Sequence, residues 1–188
     1  MGHRIFIAVN LPENVKESLF FYQSKWPELP CRWTKKENLH ITMIFIGYVR
    51  SEELLNIFKA VKEAASKNKS FSIDLKKIRY GPLDKKPPRM IWAEGEKSRE
   101  LAKLQADLEN ALTGEISGFE KEARAFAPHI TLCRLKLWEF RQMEPEEKPK
   151  IDEDISLNFQ VKSIEVMESQ LKRGGAEYTI LESFELKE

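Results

Sequence analysis

The chain has 188 residues, of which 41% are hydrophobic and 32% are charged, a balance that excludes a disordered protein and predicts a folded one with a sizeable core. The 31 Lys and Arg residues nearly cancel the 30 Asp and Glu residues, and the net charge of +1 gives no bulk signal of a nucleic-acid binder. Cys31 and Cys133 are too few for a disulfide framework, so we expect both thiols to be reduced.

Membrane and targeting signals are missing from the sequence. No stretch approaches the about 18 apolar residues that indicate a membrane-spanning helix, and the N-terminus lacks the pattern of a signal peptide. We therefore expect a soluble, cytoplasmic protein with no membrane partner, and a monomer by default. Lys and Glu supply most of the charge, a bias that is typical of thermophile proteins.

The N-terminal part alternates between predicted strands and helices. Residues 4–9 predict a buried strand, and residues 12–25 predict a helix that begins with a proline in its first turn. Residues 31–33 form a short extended piece. After a polar turn, residues 39–47 predict a second strand that ends at Gly47.

The middle of the chain continues this alternation. Ser51 is the predicted N-cap of a helix that has acidic residues in its first turn. Residues 71–80 and 89–93 predict the two strands of a hairpin with a basic, proline-rich tip. Residues 98–112 predict another helix, with Gly114 just past its end.

The C-terminal third is rich in strand signals. A strand is expected from residue 128, residues 143–150 are expected to form an exposed connection, and further strands are expected at residues 155–159, 161–167 and 178–186. No low-complexity tract or Gly/Ser linker divides the chain. We therefore expect residues 1–188 to form a single domain.

One six-residue segment occurs twice, as Leu39-His40-Ile41-Thr42-Met43-Ile44 and as Pro128-His129-Ile130-Thr131-Leu132-Cys133. Alternate side chains of a strand share a face, so His40 lies beside Thr42 and His129 lies beside Thr131. The two histidines are 89 positions apart (129 minus 40), and the third histidine of the chain is His3. One copy alone is typical of a structural histidine, whereas two copies in a duplicated fold can face one cleft.

Two imidazoles that face one cleft are suited to acid–base chemistry without a metal. An unperturbed imidazole has a pKa of about 6.5, so one ring can accept a proton while the other donates one. The hydroxyl groups of Thr42 and Thr131 would lie beside the rings and suit the oxygens of a phosphate.

These residues resemble the 2H phosphoesterases and, within them, the RNA 2′,3′-cyclic phosphodiesterases, also called LigT-type or 2′-5′ RNA ligase family proteins. The resemblance rests on both His-x-Thr-x motifs and on flanking residues that are spread over most of the chain. The flanking residues are 4–9 with Leu11-Pro12, Arg32-Trp33, Glu37-Asn38, Phe45-Ile46-Gly47, Phe126, Arg134, Ser169, Leu171, Gly175 and Tyr178.

The resemblance implies an α+β fold of two similar lobes, each with an antiparallel sheet and helices, around a central cleft. It also implies hydrolysis of RNA 2′,3′-cyclic phosphate ends, with tRNA halves among the candidates, to 2′-phosphomonoesters without a metal or another cofactor. By similarity, His40 would be the proton donor to the departing 3′ oxygen and His129 the proton acceptor from water. Thr42 and Thr131 would hold the phosphate oxygens.

Four further residues are candidates for substrate binding. Arg134 would face away from the histidines on a regular strand, so it could reach a ligand only if the strand bulges or ends there. Arg32 is another candidate cation, and Trp33 could stack on a base. Tyr178 matches the pattern of the family, although it could equally be a packing residue.

Three other interpretations use the same residues. Cys31, Cys133, His40 and His129 could form a zinc site, since Cys133 has the parity of His129, but the compact spacing of zinc motifs is missing. The cleft could instead bind a terminal RNA phosphate without catalysis. A nucleoside hydroxyl in place of water would give 2′-5′ ligation of RNA ends, which is the reverse reaction.

Overall fold

The computed structural model describes residues 2–116, 118–121, 126–173 and 175–188, and these ranges contain nine β-strands and four α-helices. The strands are β1 (Gly2–Asn10), β2 (Cys31–Trp33), β3 (His40–Arg50), β4 (Phe71–Gly81), β5 (Met90–Gly95), β6 (His129–Leu135), β7 (Asp152–Val161), β8 (Ser163–Lys172) and β9 (Gly175–Glu185). The helices are α1 (Glu13–Phe21), α2 (Leu54–Lys67), α3 (Arg99–Glu115) and α4 (Leu137–Gln142).

The strands form one antiparallel sheet in the order β7-β4-β5-β6-β3-β1-β8-β9, and β2 pairs with β6. The central strands β3 and β6 pair at Ile41 and Ile130, whereas β1 and β3 pair along the whole of β1. The sheet therefore divides into one lobe of β3, β1, β8 and β9 and another of β6, β5, β4 and β7. This arrangement confirms the α+β fold of two similar antiparallel lobes.

One lobe takes its strands from both ends of the chain, whereas the other is built from the consecutive strands β4 to β7. In the first lobe β1 pairs with β8, and in the second β4 pairs with β7. The second lobe is therefore inserted between β3 and β8 of the first.

The pairing of Ile41 with Ile130 relates the two motif copies by an approximate two-fold axis. Each isoleucine is the second residue of its His-x-Thr-x motif, and the strands are antiparallel, so the axis passes between these two residues. His40 and His129 are each one residue from this pair. They therefore lie on opposite sides of the axis and on the same face of the sheet.

The other face of the sheet packs against the helices. The leucines of α3 recur at helical spacing and join alternate residues of β1 and the inner face of α2 in one core cluster. These residues are Leu101, Leu104, Leu108 and Leu112, then Ile5, Ile7 and Val9, then Ile57, Ala60, Val61, Ala64 and Ala65. Burial of this face supplies most of the apolar stabilisation, and the cleft face carries the polar motif residues.

Three local predictions are wrong, each for a physical reason. β3 continues past Gly47 because this glycine adopts a φ of 93° and takes up a bulge opposite β1. Ser51 lies inside the first helical turn, and the carboxylate of Glu53 accepts the backbone N–H of Arg50 at 2.7 Å. Gly114 lies within α3, where the packing of the leucines outweighs the low helix propensity of glycine.

One other element differs from its predicted bounds. The helix predicted over residues 12–25 is α-helical to Phe21 and continues as a 3₁₀ turn over Tyr22–Lys25. Residues 143–150 form the predicted exposed connection, and they follow α4, whose Phe140 is buried in the core.

Candidate active site

A β-bulge in β6 decides which side chains enter the cleft. The register with β5 shifts between Thr131 and Cys133, so Leu132 is an extra residue. Leu132 and Cys133 are buried in succession, whereas a regular strand would alternate. The bulge turns Arg134 to the face that carries Thr131, which meets the condition set by the sequence analysis.

β3 carries the same bulge at the same place in its motif. The register with β1 shifts between Thr42 and Ile44, which makes Met43 the extra residue. Met43 and Ile44 are buried in succession, and Phe45 emerges with 53% of its surface exposed. Phe45 and Arg134 are therefore equivalent positions in the two copies, one aromatic and the other cationic.

The bulge in β6 also makes the parity prediction for Cys133 wrong. Cys133 is fully buried among core residues, so it does not share the cleft face with His129. The neighbouring Cys31 thiol and burial raise the pKa of the Cys133 thiol well above its ordinary value. In the part of the chain that the structure describes, no group of three or more His, Cys, Asp or Glu side chains is placed to hold a metal ion. The four-residue zinc site is not formed.

The cleft face opens into a cavity of about 470 Å³. All eight residues selected from the sequence line this cavity, namely Arg32, Trp33, His40, Thr42, His129, Thr131, Arg134 and Tyr178. The rest of the lining is Arg4, Phe6, Thr34, Lys35, Asn38, Phe45, Met90, Ser169, Leu171, Gly175 and Ala176.

The wall of the cavity is cationic although the whole chain is nearly neutral. Its permanent cations are Arg4, Arg32, Lys35 and Arg134, and the described lining residues include no Asp or Glu. Cations without compensating carboxylates concentrate anions in a cleft. The net charge of the whole chain is only +1, but the cations that line the cavity produce a local field that favours an anionic ligand.

Both imidazoles are held by the same hydrogen bond. Nδ1 of His40 donates to the carbonyl oxygen of Asn38 at 2.7 Å, and Nδ1 of His129 donates to that of Ala127 at 2.9 Å. A carbonyl oxygen can only accept, so each Nδ1 carries a hydrogen and each neutral ring has its lone pair on Nε2. Nε2 of His40 accepts the hydroxyl of Thr42 at 2.9 Å. The duplicated motif thus presents two Nε2 atoms as proton carriers.

Burial lowers the pKa of both histidines. For His40 the pKa falls to about 4, mainly through burial and also through the positive charge of Lys16. Burial likewise lowers the pKa of His129, with a further contribution from Arg134, while the negative charge of Glu94 acts in the opposite direction. Both rings are neutral at pH 7 in the free protein, and the surroundings of His40 oppose its charging more strongly.

Aromatic rings account for this burial. The ring of His40 lies 5.0 Å from that of Phe6 and 5.3 Å from that of Tyr178, measured between centroids. The ring of His129 lies 4.5 Å from that of Trp92. These contacts remove water from the imidazoles and fix their orientation.

We expect inorganic phosphate to raise the pKa of His40 from its value of about 4 in the free protein. An anion within about 4–6 Å of an imidazole favours the charged form by roughly 1 to 3 pH units. NMR titration of the ring protons, with His3 as an internal comparison, measures this change. Lys16→Met should raise the pKa of His40 without phosphate, and an unchanged titration in both experiments would contradict the described electrostatics.

Gly81→Ala is expected to destabilise the protein and to displace a ring that supports His129. A Cβ at Gly81 would lie 2.4 Å from Cε2 of Trp92, which is closer than atoms can approach. Overpacking of this kind costs about 1–3 kcal/mol. Urea unfolding measures the loss. Gly114→Ala is the matched control, since a Cβ there meets nothing within 4 Å and should stabilise α3 by about 0.5–1 kcal/mol.

Several cavity residues were not selected as site residues from the sequence. Arg4 lies over the ring of Phe45, with its guanidinium carbon 4.9 Å from the centroid. The side-chain amide of Asn38 donates to the carbonyl oxygen of Ala176 at 2.7 Å, which ties the residue that holds His40 to the start of β9. Phe45 follows His40 at the same spacing as Arg134 follows His129, and this spacing could have predicted that Phe45 lines the cavity. The sequence around Arg4 contains no comparable signal.

The fold and the duplicated motif are those of a 2H phosphoesterase. The chain belongs, more narrowly, to the LigT-like phosphoesterase family, whose model matches residues 9–92 and again residues 93–178. The boundary between the two matches falls within β5, so the repeat follows the sequence and not the lobes.

Relatives and solved structures match the chain over nearly its whole length. The RNA 2′,3′-cyclic phosphodiesterase of Methanocaldococcus jannaschii is 28% identical over 96% of this chain and 99% of its own. That of Thermus thermophilus is 32% identical over 98% and 90%. The crystal structure of TT0787, also from Thermus thermophilus, aligns with a TM-score of 0.84 at 28% identity, covering 98% of both chains. E. coli LigT shares the fold, with a TM-score of 0.79 at 23% identity over both full chains.

None of the described helices is both long enough and apolar enough to cross a bilayer.

Proposed function

We propose that this protein hydrolyses the 2′,3′-cyclic phosphate ends of RNA to 2′-phosphomonoesters, with its two histidines as a metal-independent acid–base pair. The observation that carries the proposal is the duplicated presentation of Nε2 by the His40 and His129 rings in a cationic cavity. Whole-length relatives named RNA 2′,3′-cyclic phosphodiesterase support the choice of substrate.

Ring opening needs a base and an acid on opposite sides of phosphorus. Water attacks the phosphorus while Nε2 of His129 takes its proton, the bond from phosphorus to the 3′ oxygen breaks, and Nε2–H of His40 protonates that oxygen. The two rings lie on opposite sides of the approximate two-fold axis, which suits an in-line displacement. The resemblance assigns the roles in this order.

The substrate itself must charge His40. Burial, with a further contribution from the charge of Lys16, lowers the pKa of this ring and keeps it neutral in the free protein, so its Nε2 carries no proton before the ligand arrives. The negative cyclic phosphate raises the pKa of a ring within hydrogen-bonding distance and can thereby load His40 with the proton that the leaving oxygen needs. His129 remains the base when the water lies between its Nε2 and the phosphorus.

The hydroxyl groups of Thr42 and Thr131 hold the two phosphoryl oxygens that do not react. Both threonines line the cavity beside the histidines. Negative charge grows on these oxygens in the transition state, and fixed donors that await it lower the barrier.

We also infer that residues 1–188 act as one domain and as a monomer. One lobe is inserted within the other, and both motif copies come from one chain, so the cavity is complete without a second subunit. RNA is the partner that this cavity accepts.

The proposal is tested with an oligonucleotide that ends in a 2′,3′-cyclic phosphate. We expect a product that ends in a 2′-phosphate, identified by comparison with synthetic standards, and undiminished turnover in excess chelator. A 3′-phosphate product would contradict the assigned leaving oxygen. Binding without turnover would favour an end-binding module, and joining to a 5′-hydroxyl RNA would favour ligation.

A further inference from the structure

We propose that Arg32 and Arg134 bind the phosphodiester that precedes the terminal nucleotide, so that the protein prefers an oligonucleotide over a single cyclic nucleotide. This inference rests on the proposed function and deepens it. It places a second phosphate beside the reacting one and gives the bound RNA strand a direction in the cavity.

The two arginines face each other across neighbouring strands. The register of β2 and β6 places Arg32 directly opposite Arg134, and both side chains line the cavity. Like charges at directly opposed positions of a sheet repel each other. An arrangement of this kind is stabilised when an anion binds between the two guanidinium groups.

No protein group neutralises this pair. Within the described ranges, neither Arg32 nor Arg134 has an ion pair or a hydrogen bond to another side chain, and both are exposed. By contrast, Arg50 and Arg79 each form an ion pair with a glutamate. The pair at the cavity therefore has its donors available for a ligand.

The pair lies further along β6 than the reacting phosphate. His129, Thr131 and Arg134 follow each other on the cleft face, and two positions along a strand span about 7 Å. A phosphate held by Thr131 between the imidazoles is therefore displaced from the point midway between Arg32 and Arg134. An RNA with a cyclic 3′ end continues only through its 5′ oxygen, so the neighbouring anion that it offers is the preceding phosphodiester.

The other motif copy explains why the bound RNA strand runs in this direction through the cavity. The position equivalent to Arg134 is Phe45, whose ring lies 6.0 Å from that of Phe6 and beneath Arg4. That end of the cavity presents an aromatic surface where the Arg32 end presents paired cations. The two ends are chemically distinct, so the approximate symmetry of the motifs does not leave the polarity of the RNA ambiguous.

Three substrates test the inference in the intact protein. They are a nucleoside 2′,3′-cyclic phosphate, a dinucleotide that ends in the same cyclic nucleotide, and that dinucleotide with a neutral methylphosphonate linkage. We expect kcat/KM to be roughly 10- to 100-fold higher for the charged dinucleotide than for the other two substrates, which is the effect of one hydrogen bond between charged groups. Equal values for the charged and neutral dinucleotides would overturn the inference.

Arg32→Gln and Arg134→Gln should each reduce the ratio of kcat/KM between the charged dinucleotide and the mononucleotide. They should cause no added loss with the methylphosphonate, whose missing charge already removes the contact. Arg4→Gln removes a charge from the opposite end and should leave the ratio unchanged. Equal losses on all three substrates, or the same fall in the ratio from Arg4→Gln, would overturn the inference. Failure of the wild-type protein to hydrolyse any of the three would instead refute the proposed function.

Discussion

Replacing His40 or His129 with alanine is expected to lower kcat/KM on a cyclic-phosphate oligonucleotide by about 10²–10⁴-fold each. Each substitution removes one Nε2 that carries a proton while leaving the other ring on its own carbonyl anchor. Both rings lie in the cavity and outside the main core cluster, so the fold should survive. Single-turnover kinetics with a labelled RNA end measures the loss.

The double variant separates a joint mechanism from two independent effects. Because acid and base act in one transition state, the loss in His40→Ala with His129→Ala should be well below the product of the single losses. His3→Ala is the matched control, since His3 contacts Glu168 and does not line the cavity. Wild-type turnover in either single variant would disprove the acid–base pair.

Thr42→Val and Thr131→Val are each expected to reduce kcat by about 10²–10³-fold, which is the typical effect of removing one hydrogen-bond donor to a developing oxyanion. Valine keeps the volume of threonine and removes the hydroxyl. The two substitutions should have similar effects, because each hydroxyl holds one phosphoryl oxygen, and the hydrogen bond from Thr42 to Nε2 of His40 in the free protein breaks when that nitrogen is protonated.

Thr42→Ser and Thr131→Ser restore the hydroxyl and should recover most of the activity. If serine were as damaging as valine, the methyl group and not the hydroxyl would be the important part of each threonine. A loss confined to KM would likewise contradict transition-state stabilisation and would indicate uniform binding of the phosphate.

Strand alternation predicted the cavity residues of both motifs but not the orientation of Arg134. Parity depends on the chain alone, whereas a bulge arises from pairing with a neighbouring strand, which the sequence of β6 does not display. The same bulge reverses the prediction for Cys133, which lies in the core. The resemblance selected Arg134 for substrate binding, which stays a prediction, and the bulge explains how its side chain reaches the cavity.

Long-range pairing was the other feature beyond the reach of sequence patterns. Hydrophobic periodicity located β1 and β8 as separate strands, but nothing in either segment shows that Ile7 pairs with Val166. Arg4 enters the cavity through this pairing of β1 with its neighbours, and its own segment predicts just a buried strand. Sequence patterns therefore predicted the residues of the motifs, but they did not predict which strands pair to form each lobe.

The insertion of one lobe within the other sets the order in which the strands can pair while the chain is being synthesised. β1 and β3 emerge early, yet β8 and β9, which complete their sheet, are made last. Open strand edges thus persist until synthesis is nearly finished, which slows folding and invites wrong association. A chain cleaved between β3 and β4 would separate β1 and β3 from β8 and β9, so the lobe that these four strands form would return only on reassembly of the two fragments.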